Sequence, residues 1–306
     1  MSHPSDFDLR AMDWLRYKQR YVKLSTYCYY GIIIKKHLAG SFDSIAGLKE
    51  ENVQDFVFVK LKSGLARKTV SDIVTVLKAI VKYYSKSEGL PVPDWRIKLP
   101  SQTRRNKLQT FGMNEHRKLI RYLKENMDER NIGILLALCQ GLRIGEVCSL
   151  TWDDIDLRGK TITIRHTVSR IYMPQAGKTS VVEDDPKTKS SNREIPVLKD
   201  IMPALKTLYR KSNGRYIVGD RNSPADPRNY REYYKRLLRS LGIGRHTFHA
   251  LRHTFATRCV ESGCDYKTLS SILGHSNIST TLNLYVHPDI NQKKRCLEKM
   301  AKYIRI

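Results

Sequence analysis

Apolar residues recur at helical spacing from Asp8 to about Gly89. Leu9, Met12, Leu15 and Val22 leave a one-sided stripe, and Val53, Phe56, Val57 and Leu61 make another. Val70, Ile73, Val74, Leu77, Ile80, Val81 and Tyr84 form the cleanest stripe, at steps of three and four that place them on one face of a helix. This stripe starts after Thr69, a residue type that caps helix N-termini, and stops before Gly89, Leu90 and Pro91. The pattern predicts an all-helical N-terminal domain over residues 1–92. The following stretch, PVPDWRIKLPSQTRRNKLQT, holds three prolines, no period and a basic balance, which predicts an extended linker over 93–110 lying across an acidic partner.

The second block opens with helix-like residues 114–125 and a strongly apolar segment at 131–142, and then changes character. Residues 161–168 alternate in strand fashion and 194–197 read as a short second strand. The polar, Lys-rich stretch 175–192 between them reads as a long connection. Helical patterns return at 199–212, 227–241, 247–262 and 266–273. Residues 111–290 are therefore expected to form a mixed α+β domain, and the whole chain to be mainly α with one small antiparallel sheet. At 291–306, Leu297, Met300, Ala301 and Ile304 stand at helical spacing amid basic residues, as a terminal helix would place them.

Composition narrows the class. Of 306 residues, 41% are hydrophobic and 28% charged, enough for packed cores and contrary to disorder. The longest apolar runs, such as 31–34 and 132–139, fall far short of the ~20 residues that span a bilayer. No basic-then-apolar leader opens the chain, so a cytoplasmic location is expected. The six cysteines stand in mostly apolar settings without a CxxC pair, as reduced, packed residues do. The 55 Lys and Arg against 30 Asp and Glu leave a formal charge of +25. A surplus of that size favours a polyanionic partner, nucleic acid above an acidic membrane.

Two motifs mislead. Residues 176–179 supply the GKT end of a phosphate-binding loop, but Tyr172 stands where its first glycine belongs and Pro174 interrupts it. His249 and His253 have the i, i+4 spacing of a zinc pair, yet Ala250 replaces the catalytic Glu, and no metal is expected. What survives is a set of polar residues in apolar surroundings. Arg143 follows a core helix and needs a fixed anion; Glu146, three residues on, is an ordinary ion-pair partner for it. His249 and Arg252 lie one turn apart, able to point at one spot or to belong to a capped structural helix. His275 and Tyr285 follow in LGHSNISTTLNLYVH.

Taken together these stretches resemble the tyrosine recombinase (phage integrase) family over nearly the whole chain. GLRIGEVCSLTWDDIDL at 141–157 resembles its first arginine box, HALRH at 249–253 its His-x-x-Arg box, LGH at 273–275 its second histidine, and TTLNLYVH at 280–287 the segment of its nucleophile. PKTKSSNREIPV at 186–197 resembles its lysine box, with Lys187 the better match and Lys189 the second.

The resemblance implies a core-binding domain that closes with a catalytic domain around duplex DNA. It implies Tyr285 as nucleophile, giving a 3′-phosphotyrosyl bond and a free 5′-hydroxyl without cofactor, metal or ATP. Arg143 and Arg252 would neutralise the phosphate, His249 would serve as base for the phenol, Lys187 as acid for the leaving oxygen, His275 as a phosphate hydrogen bond and Glu146 as support. Lys35, Lys36, Lys60, Lys62, Arg67, Lys68, Arg104, Arg105 and Lys107 are candidate phosphate contacts.

It further implies a homotetramer on a Holliday junction, the terminal helix docking on its own domain or a neighbour's, and possible help from an accessory directionality factor. The helical block begins close to residue 1, which points to a compact form such as a Xer-like resolvase, an inversion switch or a mobile-element integrase. The long connection between the strands favours the last. A type IB topoisomerase and a catalytically silent DNA-binding regulator are the competing readings.

Overall fold

The computed structural model describes residues 4–101, 109–173, 177–184, 192–220, 222–285 and 290–304. The chain divides into two compact units, Met1–Arg105 with Ile171–Ser180, and Asn106–Arg170 with Val181–Ile306. Among the described residues no helix is long and apolar enough to cross a membrane.

In the first unit, α1 (Asp6–Gln19) starts at a reciprocal cap, in which the Ser5 side chain accepts from the Asp8 amide and the Asp8 side chain accepts from the Ser5 amide. α2 (Leu24–Ile33) runs into a wide turn at Ile34–Leu38, and α3 (Glu50–Lys62) and α4 (Arg67–Ser87) follow. Ile73, Leu77, Ile80 and Val81 of the α4 stripe wall a core shared with Phe7, Trp14, Leu38, Val53 and Phe56, while Val70 and Val74 pack with Val57. The helix begins two residues before Thr69, with Ala66 at its cap. The segment after α4 has no helix or strand through residue 101 and is tied to this unit. Trp95 is buried in this core, and the Gln54 side chain pairs with both the amide and the carbonyl of Lys98.

The second unit is built on α6 (Glu129–Gln140), an apolar helix buried along most of its length that packs most extensively against α10 (His249–Glu261). Around them lie α5 (Met113–Glu125), α7 (Ile144–Ser149), α8 (Met202–Lys211), α9 (Pro227–Ser240), α11 (Tyr266–Leu273), α12 (Ile278–Tyr285) and α13 (Ile290–Ile304). Strands β1 (Ile155–Asp156), β2 (Thr161–Ile164) and β5 (Arg193–Pro196) form an antiparallel sheet in the order β1-β2-β5, with Ile162 opposite Ile195 and Ile164 opposite Arg193.

Two strand expectations need correction. The alternating stretch 161–168 is not one strand: it breaks after Ile164, and Thr167 begins β3 (Thr167–Met173), which pairs in a separate two-stranded sheet. Its partner β4 (Lys178–Asp184) occupies part of the stretch read as a connection. A second small pair, β6 (Gly219–Asp220) with β7 (Ser223–Pro224), had no sequence signal.

Candidate active site

The site grows from the end of α6. Gly141 closes that helix in the left-handed conformation, φ +71°, which suits glycine because it has no Cβ to clash. A Cβ at Gly141 would lie 2.5 Å from Cδ1 of Phe255. The reversal presents Arg143 at the N-cap of α7, where its own amide donates to Glu146 Oε2 at 2.8 Å and Nη1 to Glu146 Oε1 at 2.7 Å. Arg252 projects from α10, is 1% exposed, and donates through Nη1 to the Gly141 carbonyl at 2.8 Å.

A third guanidinium joins these two. Arg193 opens β5 at an inward position and donates to both carboxylate oxygens of Glu146, at 3.1 and 2.9 Å. The three arginines then meet three successive carbonyls at the end of α11: Arg193 Nε bonds Ile272 at 2.6 Å, Arg252 Nη2 bonds Leu273 at 2.6 Å and Arg143 Nη2 reaches Gly274 at 3.4 Å. These carbonyls belong to the negative end of a helix, where the last turn lacks intrahelical partners and cations are stabilised. Glu146 and the helix end thus hold three like charges together. Among the described residues, one carboxylate and a partial helix charge face three guanidinium groups, an arrangement suited to a phosphodiester.

Imidazoles border this excess. His275 follows the Gly274 turn and its Nδ1 lies 2.8 Å from Thr281 Oγ1. Burial, then the charges of Arg252, Arg143, Arg193 and His249, pull its pKa down to about 4. The His249 pKa is also lowered, by burial and by Arg252 and Arg143, so both rings are neutral near pH 7. Burial and then the Arg143 charge pull the Arg252 guanidinium down to about 9, still charged at pH 7.

Tyr285, the last residue of α12, is buried with Ala256, Leu269 and Leu273. Burial raises its phenol pKa while the charges of Arg252 and Arg143 draw it down. Its hydroxyl lies 2.7 Å from His253 Nδ1, and His253 in turn meets His249 edge-on at 4.4 Å between ring centres. One chain therefore gathers Arg143, Glu146, His249, Arg252, His275 and Tyr285.

Where the family resemblance assigned His249 to the phenol, the structure puts His253 against it. In the sequence His253 stands out only as half of a zinc pair, and Arg193 does not stand out at all. The available signals were the i, i+4 histidine spacing and a charged residue in an alternating strand, whose inward face needs an anion. Lys187 and Lys189 lie outside the described residues, as do Arg104, Arg105 and Lys107. The remaining basic candidates sit in the first unit. Lys35, Lys36 and Lys62 are exposed, Lys60 lies over the Phe56 ring, Arg67 donates to the Pro100 carbonyl and Lys68 pairs with Asp72. His37 is pushed down by burial, then by Lys60 and Lys36, which marks a local concentration of positive charge.

The model of the Phage integrase family matches residues 109–292, more than half of the chain and every residue of this cluster. The chain belongs to the phage integrase family. It is a tyrosine-type site-specific recombinase, an enzyme that breaks and rejoins DNA. Among its relatives, a XerC-like tyrosine recombinase of Caldanaerobacter subterraneus subsp. tengcongensis is 29% identical over 282 residues, 84% of this chain and 71% of that protein. The ICEBs1 integrase of Bacillus subtilis is 25% identical over 283 residues, 88% of this chain and 75% of the other. The recombinase shares its fold with the Tn1549 transposon integrase bound to a circular intermediate DNA, at a TM-score of 0.78 and 23% identity, covering 97% of this chain and all of that one.

Proposed function

We propose that this recombinase integrates and excises a mobile element, cutting each strand through Tyr285 and exchanging strands within a homotetramer on double-stranded DNA. The observation that carries the chemistry is the convergence of Arg143 and Arg252 on the Leu273 and Gly274 carbonyls beside a buried tyrosine of the same chain. A phosphodiester resists nucleophiles because it is anionic, and two guanidinium groups can neutralise its non-bridging oxygens as charge builds. Tyr285 Oη attacks phosphorus, the bond to the 5′-oxygen breaks, and a 3′-phosphotyrosyl bond remains. The departing oxygen takes a proton, for which Lys187 is the residue that the family pattern offers. His249 and His275 border the anion, and Glu146 with Arg193 hold the arginines in place.

Because the phosphoester is exchanged rather than hydrolysed, a 5′-hydroxyl from a second duplex reverses the step. Two rounds pass through a Holliday junction and recombine two sites. Support for a mobile-element role comes from relatives named as an ICEBs1 integrase and as the transposase of Tn916, and support for the assembly from a shared fold with a lambda integrase tetramer on a Holliday junction. The site of action is the cytoplasm, at the nucleoid, and an accessory factor would set the direction.

The test maps where purified protein becomes covalently joined to DNA drawn from its own genomic surroundings. Adducts at the two ends of one element are expected, and none with Tyr285→Phe. Adducts scattered without sequence preference would favour a topoisomerase, and adducts at a single chromosomal site a resolvase.

A further inference from the structure

We propose that His253 is a catalytic residue of this recombinase, the group that holds the Tyr285 hydroxyl and takes its proton as Oη attacks the scissile phosphorus. The proposal rests on the phosphotyrosyl chemistry above and identifies where the phenol proton goes.

The phenol oxygen is a poor nucleophile while protonated, and burial raises its pKa further. A base must therefore stand within hydrogen-bond reach of Oη. His253 Nδ1 is 2.7 Å away, and among the described residues it makes the only hydrogen bond to that hydroxyl. The contact follows from the fold: His253 stands four residues after His249 on α10, and Tyr285 ends the helix whose apolar side packs on α10 and α11. The ring is neutral at pH 7, since burial first and then His249 and Arg252 pull its pKa down to about 4. With the ring hydrogen on Nε2, Nδ1 offers its lone pair to the phenol O–H.

The same surroundings make transfer depend on substrate. In the free enzyme an imidazolium at His253 would face the Arg252 charge, so the proton stays on the phenol. A phosphodiester seated on Arg143 and Arg252 brings negative charge beside His253, and more develops in the transition state. The proton then passes from Oη to Nδ1 as the O–P bond forms and the bond from phosphorus to the 5′-oxygen breaks. In the reverse reaction His253 returns it to the phenol.

The test uses the full chain and a nicked suicide duplex carrying the mapped site, with single-turnover formation of the covalent adduct as readout. His253→Asn keeps an acceptor near the position of Nδ1 but cannot take a proton at neutral pH, and His253→Ala removes both. A loss of about 100-fold or more in adduct rate is expected for each, with binding to the duplex retained. Replacing Tyr285 by a fluorinated tyrosine of lower phenol pKa should restore at least about 10-fold in either variant, because less help is needed to remove the proton. Adduct rates within threefold of the unaltered protein, or a loss that the fluorinated tyrosine does not relieve, overturn the assignment. The unaltered protein and Tyr285→Phe on the same duplex keep the two levels apart. If the unaltered protein forms no adduct, the recombinase reading itself fails; if it does and His253 variants match it, only this role fails.

Discussion

Replacing Glu146 with Gln tests whether one buried carboxylate organises the arginine cluster. Glu146 is 4% exposed and accepts from the Arg143 amide and side chain and from two nitrogens of Arg193, all between 2.7 and 3.1 Å. Burial alone would push its pKa up. The hydrogen bonds and charge of Arg193, then the charges of Arg143 and Arg252, overcome that effect and hold the carboxyl at about 2 against an ordinary 4.5. At about 1.4 kcal/mol for each tenfold in acidity, the gap corresponds to roughly 3 kcal/mol of stability. Removing one partner of a buried pair costs about 3–5 kcal/mol, and the amide oxygen that Gln retains puts the loss at the lower end, ~3 kcal/mol. Because the folded pKa is depressed, this stability is full above the unfolded value near 4.5 and is lost as pH falls toward 2. Urea unfolding of the full chain, with the transition of the second unit fitted separately, should show the variant weaker by ~3 kcal/mol at pH 7 and the difference shrinking by at least about half at pH 3. A difference under about 1 kcal/mol at pH 7, or one unchanged between pH 7 and pH 3, would refute the electrostatic account.

Gly141→Ala forces a side chain into a left-handed turn and against the Phe255 ring, at a combined cost of roughly 2–4 kcal/mol. Because the Gly141 carbonyl anchors Arg252, the rate of covalent adduct formation should fall as well. Unchanged stability with normal adduct formation would contradict the role of this turn. Trp95→Ala should destabilise the first unit by about 3–5 kcal/mol, seen as faster proteolysis of the helical core; cleavage at the unaltered rate would mean that Trp95 contributes little to it. Affinity for the mapped DNA site should drop steeply with salt, as expected of several phosphate contacts by groups such as Lys35, Lys36 and Lys62. A log–log slope near zero would remove them from the interface.

The helices were legible wherever burial is one-sided. The α4 stripe from Val70 to Tyr84 follows directly from spacing, because that helix has one wall of a core to fill, whereas α6 is buried on all sides and shows as an unbroken apolar run without a period. The β3–β4 hairpin was hidden for the opposite reason. β4 carries Lys178, Thr179, Ser180, Glu183 and Asp184 with none of its residues fully buried, so no alternation of apolar and polar positions announces it. The break between β2 and β3 falls at Arg165 and His166, where the stretch 161–168 switches sheet without losing its alternation. The start of α4 shifted because its cap is made by backbone at Ala66 rather than by the hydroxyl of Thr69.

The site shows a sharper division. Arg143, His249, Arg252, His275 and Tyr285 could be named because each lies in a recognisable box, but the boxes do not say what balances the charges. Arg193, Arg252 and Arg143 come from a strand and two helix ends up to 109 residues apart in sequence, and they reach Ile272, Leu273 and Gly274 in register. Three guanidinium groups so near one another repel, and among the described residues Glu146 is the one carboxylate paired with them. Successive carbonyls at the negative end of α11 supply the remaining attraction without adding a full anion that would compete with phosphate. A second buried carboxylate in their place would hold the arginines as firmly but would cancel the charge the substrate needs. A helix end, which carries a partial but not a full negative charge, is therefore the element that holds this cluster together while leaving it open to an anion, and it becomes visible only when three distant segments are placed against one turn.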